Sequence, residues 1–420
     1  MNSTLSITTD VKTNDTPQSG ALIDQYEPQS DVFFASPSQT VLGKPPFANV
    51  LLSSRDDIAE QAKQSLRFAM DLGIPSPIVI GAINFSADTT AYLRVAHSVT
   101  RISGREAVEP SPVNPSPAIH DQPPTVSVSA SGETFARCVQ SALNTIKAGP
   151  LQKVVLSRTL KVRYPSTPNS RQLLKNLYLN NPKGYTFGLN LRPLRQRSRR
   201  TEAPDRPAPQ TAPDFHAMVG ASPELLIAKT GKYITAHPLA GSEPRSHVPA
   251  TDAERIKRLN ESKKDQREHA LVVDAIKAAL TPFCKTLNVP ARPSLVETPT
   301  MLHLGTVITG ELKEESTSSL ALALALHPTP AVCGQPMALA KRVIEQLEAH
   351  DRHLYTGMVG WCDHRGDGEW AVTIRCAEIK DAEVTLYAGA GIVEGSCPDK
   401  ELDETSAKFN TLLNAMGVLQ

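Results

Sequence analysis

Residues 368–408, GEWAVTIRCAEIKDAEVTLYAGAGIVEGSCPDKELDETSAK, constrain the rest of the chain more than any other stretch. Two segments rich in β-branched and apolar residues, 369–379 and 383–393, flank the polar turn Lys380-Asp381-Ala382. That pattern predicts a β-hairpin. The second segment carries Gly389 and Gly391 where side chains would stand. Glycine inside a strand marks a bulge or the close approach of another group. A turn through Gly395, Ser396 and Pro398 leads into a predicted helix. On that helix Glu401, Glu404 and Lys408 share one stripe, at i, i+3 and i+7. Leu402, Phe409, Leu413 and Met416 form an apolar stripe beside it. The acidic stripe reads as a solvated face, or as carboxylates that collect a hard cation with a lysine nearby for an anionic ligand.

Three other charged residues stand out by position. The segment LQKVVLSRTLKVRY, 151–164, alternates as a strand and places Lys153 near its start. Its ammonium either reaches water along the aliphatic stem or is desolvated and available as a base. Glu224 directly follows a turn predicted at Gly220-Ala221-Ser222-Pro223 and precedes an apolar strand. It is an edge gatekeeper or a carboxyl of raised pKa. Glu268 stacks with Leu271, Val272, Ala275 and Ala279 on the apolar face of a long helix predicted over 251–280. A carboxylate there requires a metal or a cationic partner. His303, in the predicted strand 302–310, is a core histidine or a ligand contact.

The remaining chain is read more coarsely. Residues 1–29 are expected to form a loose, disordered tail and 30–420 a single catalytic domain. Helices are predicted over 56–70, 132–148, 171–179 and 336–350, and strands over 77–85, 184–189, 233–242 and 356–363. Residues 110–124 are rich in proline, and 191–214 in arginine and proline. The latter reads as a solvated surface insertion, because it has no interleaved aromatics to stack on bases. With 420 residues and a net charge of +1, the chain can bury a large core and carries no field that selects nucleic acid or an anionic membrane. The six cysteines show no C-x-x-C spacing, which favours a reducing compartment over a disulfide framework or zinc site. No basic and apolar leader opens the sequence, and its longest apolar run is too short to span a bilayer. The expectation is a cytoplasmic protein, monomeric, with no nucleic-acid or membrane partner.

Taken together, ten strings resemble the chorismate-utilising enzymes, and most closely the isochorismate synthases of siderophore pathways. They are KVVLSR (153–158), GASPELL (220–226), PLAGS (238–242), KDQREHALV (264–272), TPTMLHL (298–304), HPTPAVCG (327–334), VGWCD (359–363), GEWAVTIRCA (368–377), YAGAGIV (387–393) and the final E-x-x-E-x-x-x-K. They run in consistent order from 132 to 417. The resemblance implies an α+β fold, with two large, mostly antiparallel β-sheets forming a core and helices packed outside. It implies an active site between the halves, Mg²⁺ as cofactor, and chorismate as substrate, converted to isochorismate. On the same basis Lys153 is the base that activates water and Glu224 the acid that protonates the departing hydroxyl. Glu268 and Glu404 match the metal ligands, with Glu401 a further carboxylate. Arg375 and Lys408 match carboxylate-holding positions, and Gly241, His303 and Gly389 match the cleft lining. The Lys263-Lys264 pair before Glu268 departs from the pattern and bears on the field near the metal. Two alternatives stand beside this reading: a salicylate synthase, which goes on to eliminate pyruvate, and a non-catalytic chorismate-binding homologue.

Overall fold

The computed structural model describes residues 20–50, 57–86, 91–105, 116–128, 132–192 and 214–418. The arginine- and proline-rich stretch 193–213, residues 110–115 of the proline-rich 110–124, and residues 1–19 lie outside them. In chain order the first elements are α1 (Ala21–Asp24), β1 (Val32–Ala35), β2 (Gln39–Asn49), α2 (Ile58–Asp71), β3 (Ile78–Ile83), β4 (Ala91–Ser103) and β5 (Thr125–Val128). Next come α3 (Gly132–Ala148), β6 (Lys153–Arg163), α4 (Ser170–Asn180), β7 (Tyr185–Asn190), β8 (His216–Ser222), β9 (Leu225–Thr230), β10 (Tyr233–His237) and β11 (Leu239–Pro244). Then follow α5 (Pro249–Glu261), α6 (Lys263–Leu280), β12 (Cys284–Asn288), β13 (Ser294–Glu297), β14 (Met301–Gly305), β15 (Ile308–Leu312) and α7 (Ser319–Leu326). The last are β16 (Gly334–Gln335), α8 (Met337–Leu347), β17 (Met358–Asp363), β18 (Gly368–Val372), β19 (Cys376–Lys380), β20 (Glu383–Val393) and α9 (Pro398–Ala415).

Every strand pairing is antiparallel. One continuous ladder runs β6-β20-β19-β8-β7-β1-β2-β4-β3-β17-β18-β9-β10-β15-β12, with β5 and β16 on the outer edge of β6. The ladder folds over on itself. Phe34, Phe187, Met218 and Tyr387 from one half pack with Ile80, Val359, Trp361 and Ala371 from the other, which makes a sandwich core. Helices cover both outer faces: α2, α6 and α7 on one, α4 and α9 on the other, with α3 and α8 over β6 and β20. The expected α+β architecture is therefore present, with its two sheets joined as one ladder. A separate three-stranded sheet, β11-β14-β13, carries α5, whose Leu259 packs against Leu302 and Leu304 of β14.

Several predicted elements are divided, each by a local cause. The predicted strand 369–379 is two strands, β18 and β19, that lie in opposite halves of the sandwich. The chain crosses between them at Thr373–Arg375, where Arg375 takes φ +50°. The predicted helix 251–280 breaks at Ser262, whose hydroxyl caps α6 by accepting from the Asp265 N–H. The predicted strand 233–242 breaks at Pro238, and 302–310 at Thr306-Val307; both send the chain from the large sheet into the small one, or back. The turn expected from Gly220 is instead part of β8, which runs on to Ser222. Gly220 serves close packing there: a Cβ would stand 2.4 Å from the Phe187 ring. Residues 20–29, expected in a loose tail, are packed, with Leu22, Ile23 and Tyr26 buried against α4 and β1. All six cysteines are free. No helix among the described residues is long and apolar enough to cross a membrane.

Candidate active site

A cavity opens where β6 and β20 meet the β8–β9 turn, β11, β14 and the α6 and α9 helices. Eight of the ten expected site residues line it: Glu224, Gly241, Glu268, His303, Arg375, Gly389, Glu404 and Lys408. The other two lie directly behind. Lys153 contacts Glu268, and Glu401 sits one helical turn before Glu404.

Lys153 begins β6, opposite Val393 of β20. Its side chain is fully buried. The ammonium lies 3.0 Å from Glu268 Oε1, yet without the alignment of a hydrogen bond. Gly391 makes this pair possible. A Cβ there would stand 2.2 Å from Glu268 Oε1 and 3.1 Å from Lys153 Cε. Both side chains thus fill the volume that a strand residue would occupy.

Glu224 follows Pro223 in the break between β8 and β9, and its carbonyl accepts from the Val372 N–H. Burial pushes its carboxyl up to about 7. An N–H from Leu239 and the charges of Lys153, Arg375 and Lys408 oppose that rise without cancelling it. Arg375 is held in its left-handed conformation by the Ala221 N–H, which donates to its carbonyl at 3.0 Å. A non-glycine residue there costs about 1 kcal/mol or more, a kind of strain found at functional sites. Burial lowers the Arg375 pKa, as it does for any desolvated cation.

Lys408 bridges two groups, donating to the Gly389 carbonyl at 2.7 Å and to Glu404 Oε1 at 2.5 Å. Ser242 also donates to Glu404 Oε1. Burial works against the Glu404 charge, but Lys408, Lys264 and the Ser242 hydroxyl outweigh it and hold the carboxyl below its usual range. Glu401 differs. Burial and the neighbouring Glu404 charge push it up to about 7, although Lys264 stands 3.0 Å away. His303 is buried with Nε2 unpartnered. Desolvation, reinforced by Arg375 and Lys408, keeps it neutral well below the ordinary histidine pKa. The Gly389 Cβ space is filled by the Tyr355 hydroxyl, 2.8 Å from where that atom would be.

Sequence reading passed over several residues that shape this cavity. Val332, Tyr355 and Thr356 line it. Beneath them Arg352 donates to the carbonyls of Val155 and Val332 and pairs with Glu348, which in turn accepts from the Ser157 N–H. This ion pair meets the free edge of β6 as a neighbouring strand would. Both residues lie beyond the end of α8 at Leu347, with Glu348 in extended conformation, so helical spacing did not foretell the pair. His269 braces β11 from behind through the Ala240 carbonyl and the Thr306 hydroxyl.

The arrangement places two cations, Arg375 and Lys408, a neutral histidine and a carboxyl poised to donate a proton around one enclosed space. It is built for a small polyanion and for acid–base chemistry.

Comparisons with known proteins agree. A family profile described as chorismate binding enzyme matches residues 87–414. Isochorismate synthase DhbC of Bacillus subtilis is 42% identical over 412 residues, covering 94% of this chain and 96% of that protein. The vibriobactin-specific isochorismate synthase of Vibrio cholerae is 38% identical over 412 residues, covering 96% and 95%. The crystal structure of DhbC from Bacillus anthracis superposes with a TM-score of 0.84 at 40% identity, covering 95% of this chain and 100% of that one. The chain belongs to the chorismate-binding enzymes.

Proposed function

We propose that this enzyme is an isochorismate synthase that converts chorismate to isochorismate reversibly. The observation that carries the reading is a carboxyl pushed up to about 7, Glu224, in the lining of a cavity that has a fully buried amine, Lys153, directly behind it. The names of the relatives support the substrate, and the Vibrio cholerae relative's name supports a place in siderophore biosynthesis.

The chemistry exchanges one hydroxyl for another on a ring. Water adds at C2 while the C4 hydroxyl departs, and the ring double bonds shift between them. Lys153 takes the proton from the attacking water. Glu224 gives its proton to the departing hydroxide, which leaves as water, so atoms and charge balance. Water is a poor nucleophile and hydroxide a poor leaving group, so both transfers are needed. Arg375 and Lys408 hold the substrate carboxylates. A guanidinium does so with two parallel hydrogen bonds. His303, neutral at working pH, offers a hydrogen bond without adding charge.

The donor set fits Mg²⁺ in kind. Glu268, Glu401 and Glu404 are buried or half-buried hard oxygen donors on two helices, and burial together with the Glu404 charge pushes Glu401 up to about 7. As the side chains stand, no three of His, Cys, Asp and Glu among the described residues converge for chelation. Each carboxylate is engaged by a lysine instead: Glu268 by Lys153, Glu401 by Lys264 and Glu404 by Lys408. When bound, Mg²⁺ would neutralise this cluster and present positive charge to a substrate carboxylate.

The test is product analysis on purified protein with chorismate and Mg²⁺. Isochorismate without pyruvate supports the proposal. Pyruvate released in step with chorismate loss moves the assignment to salicylate synthase, and no turnover with tight chorismate binding moves it to a non-catalytic homologue.

A further inference from the structure

Lys264 is a half-buried cation that has no role at the substrate in the proposed chemistry. It occupies the first turn of α6, one turn before Glu268. Its Nζ lies 3.0 Å from Glu401 Oε1 and 3.8 Å from Asp265 Oδ1, and the charges of Glu268 and Glu404 also act on it. One ammonium is therefore within 4 Å of two carboxylates, Glu401 and Asp265, and feels the charge of two more, Glu268 and Glu404, all on α6 and α9. Lys264 does not line the substrate cavity, whereas Lys408 does. Lys153 and Lys408 have work at the substrate; Lys264 stands behind the carboxylates, where only they can use its charge.

We propose that Lys264 is a tethered counter-ion of the metal site, which neutralises Glu401 in the metal-free protein and must release it before a divalent cation can take that carboxylate. The inference rests on the assignment of Glu268, Glu401 and Glu404 to Mg²⁺. A buried carboxylate cluster without positive charge is costly, so a built-in ammonium keeps the site assembled when metal is absent. It also competes. The binding-competent arrangement, with Glu401 free, is only part of the metal-free population, and the apparent metal affinity is reduced by that fraction.

Isothermal titration with Mg²⁺ alone, on the full chain without substrate, tests this. Lys264→Met is expected to bind Mg²⁺ about tenfold more tightly than wild type, with a lower Tm in the metal-free form. Lys264→Arg, which keeps the charge, stays near the wild-type affinity. A second measurement needs no variant: the rate at which Lys264 is acetylated by a water-soluble reagent, read by mass spectrometry, rises severalfold on saturation with Mg²⁺ as the ammonium leaves Glu401. Equal or weaker Mg²⁺ binding by Lys264→Met overturns the inference, and so does an acetylation rate that ignores Mg²⁺ if the variant fails to fold. Wild-type protein that binds no Mg²⁺ overturns the metal assignment as well, whereas wild-type binding matched by Lys264→Met removes only the role of Lys264.

Discussion

Lys153 and Glu268 meet 3.0 Å apart in space that a Cβ at position 391 would fill. The pair links the strand that supplies the proposed base to the helix that supplies a proposed metal ligand. Gly391→Ala should push the two side chains apart. Displacement near 1 Å in a site of this kind costs on the order of 10² in rate. We expect kcat to fall by about that factor with a loss of stability of about 1–3 kcal/mol. Gly20→Ala is the control, because a Cβ there meets nothing within 4 Å. Comparable kcat in both variants would contradict the role given to the pair.

As the proposed acid, Glu224 should set the alkaline limb of the pH profile. Its carboxyl titrates at about 7, pushed up by burial, and only the protonated form can donate. kcat/KM should therefore fall about tenfold per pH unit above that pH. Glu224→Gln should lower kcat by roughly 10²–10⁴ and abolish that limb. Stability follows the same group. A carboxyl whose pKa is higher folded than unfolded favours the fold below the ordinary glutamate range, and that advantage is lost as pH rises through about 7. The Tm of Glu224→Gln relative to wild type should rise from pH 5 to pH 8. A difference that does not change with pH would place the Glu224 titration elsewhere.

Arg375 separates stability from function. Its φ of +50° suits glycine. Arg375→Gly should be more stable than Arg375→Ala by about 1 kcal/mol. Both should lose about 10² in kcat/KM, because neither can hold a substrate carboxylate. Denaturant titration and steady-state kinetics on the two variants decide it; equal stabilities would remove the strain argument.

Ser262 divides the helix that sequence periodicity reads as continuous. Its hydroxyl accepts from the Asp265 N–H. Ser262→Ala should cost about 1 kcal/mol in chemical denaturation. It should leave the substrate KM unchanged, since Ser262 does not line the cavity.

Legibility in the sequence tracked how local each cause was. The helix over 132–148 followed from its one apolar face and the strand at Lys153 from its alternation, although β6 is buried on both faces from Lys153 to Leu160. The buried position of Glu268 was readable from its neighbours at i+3, i+4 and i+7. The crossing at Arg375 was not, because TIR contains neither glycine nor proline; the break is imposed by hydrogen bonds from Ala221 to Arg375 and from Val372 to Glu224, distant in sequence. Periodicity likewise carried one strand through Thr306-Val307 and one helix through Ser262, since apolar spacing continues across both. The assembly of Glu224, Glu268, Arg375 and Lys408 at one cavity came from the family resemblance, and no local pattern foretold it. The lysine partners of Glu268 and Glu401 were invisible for the same reason, since ion pairs across 115 and 137 positions leave no periodic trace, whereas Lys408 shares the predicted helical stripe with Glu404.

The most direct test of the account is turnover of chorismate by wild type and Lys153→Ala in heavy-oxygen water with Mg²⁺. The account predicts that wild type forms isochorismate carrying one solvent oxygen, and that Lys153→Ala forms it at least about 10² more slowly. Full turnover by Lys153→Ala, or isochorismate without solvent oxygen, would contradict it.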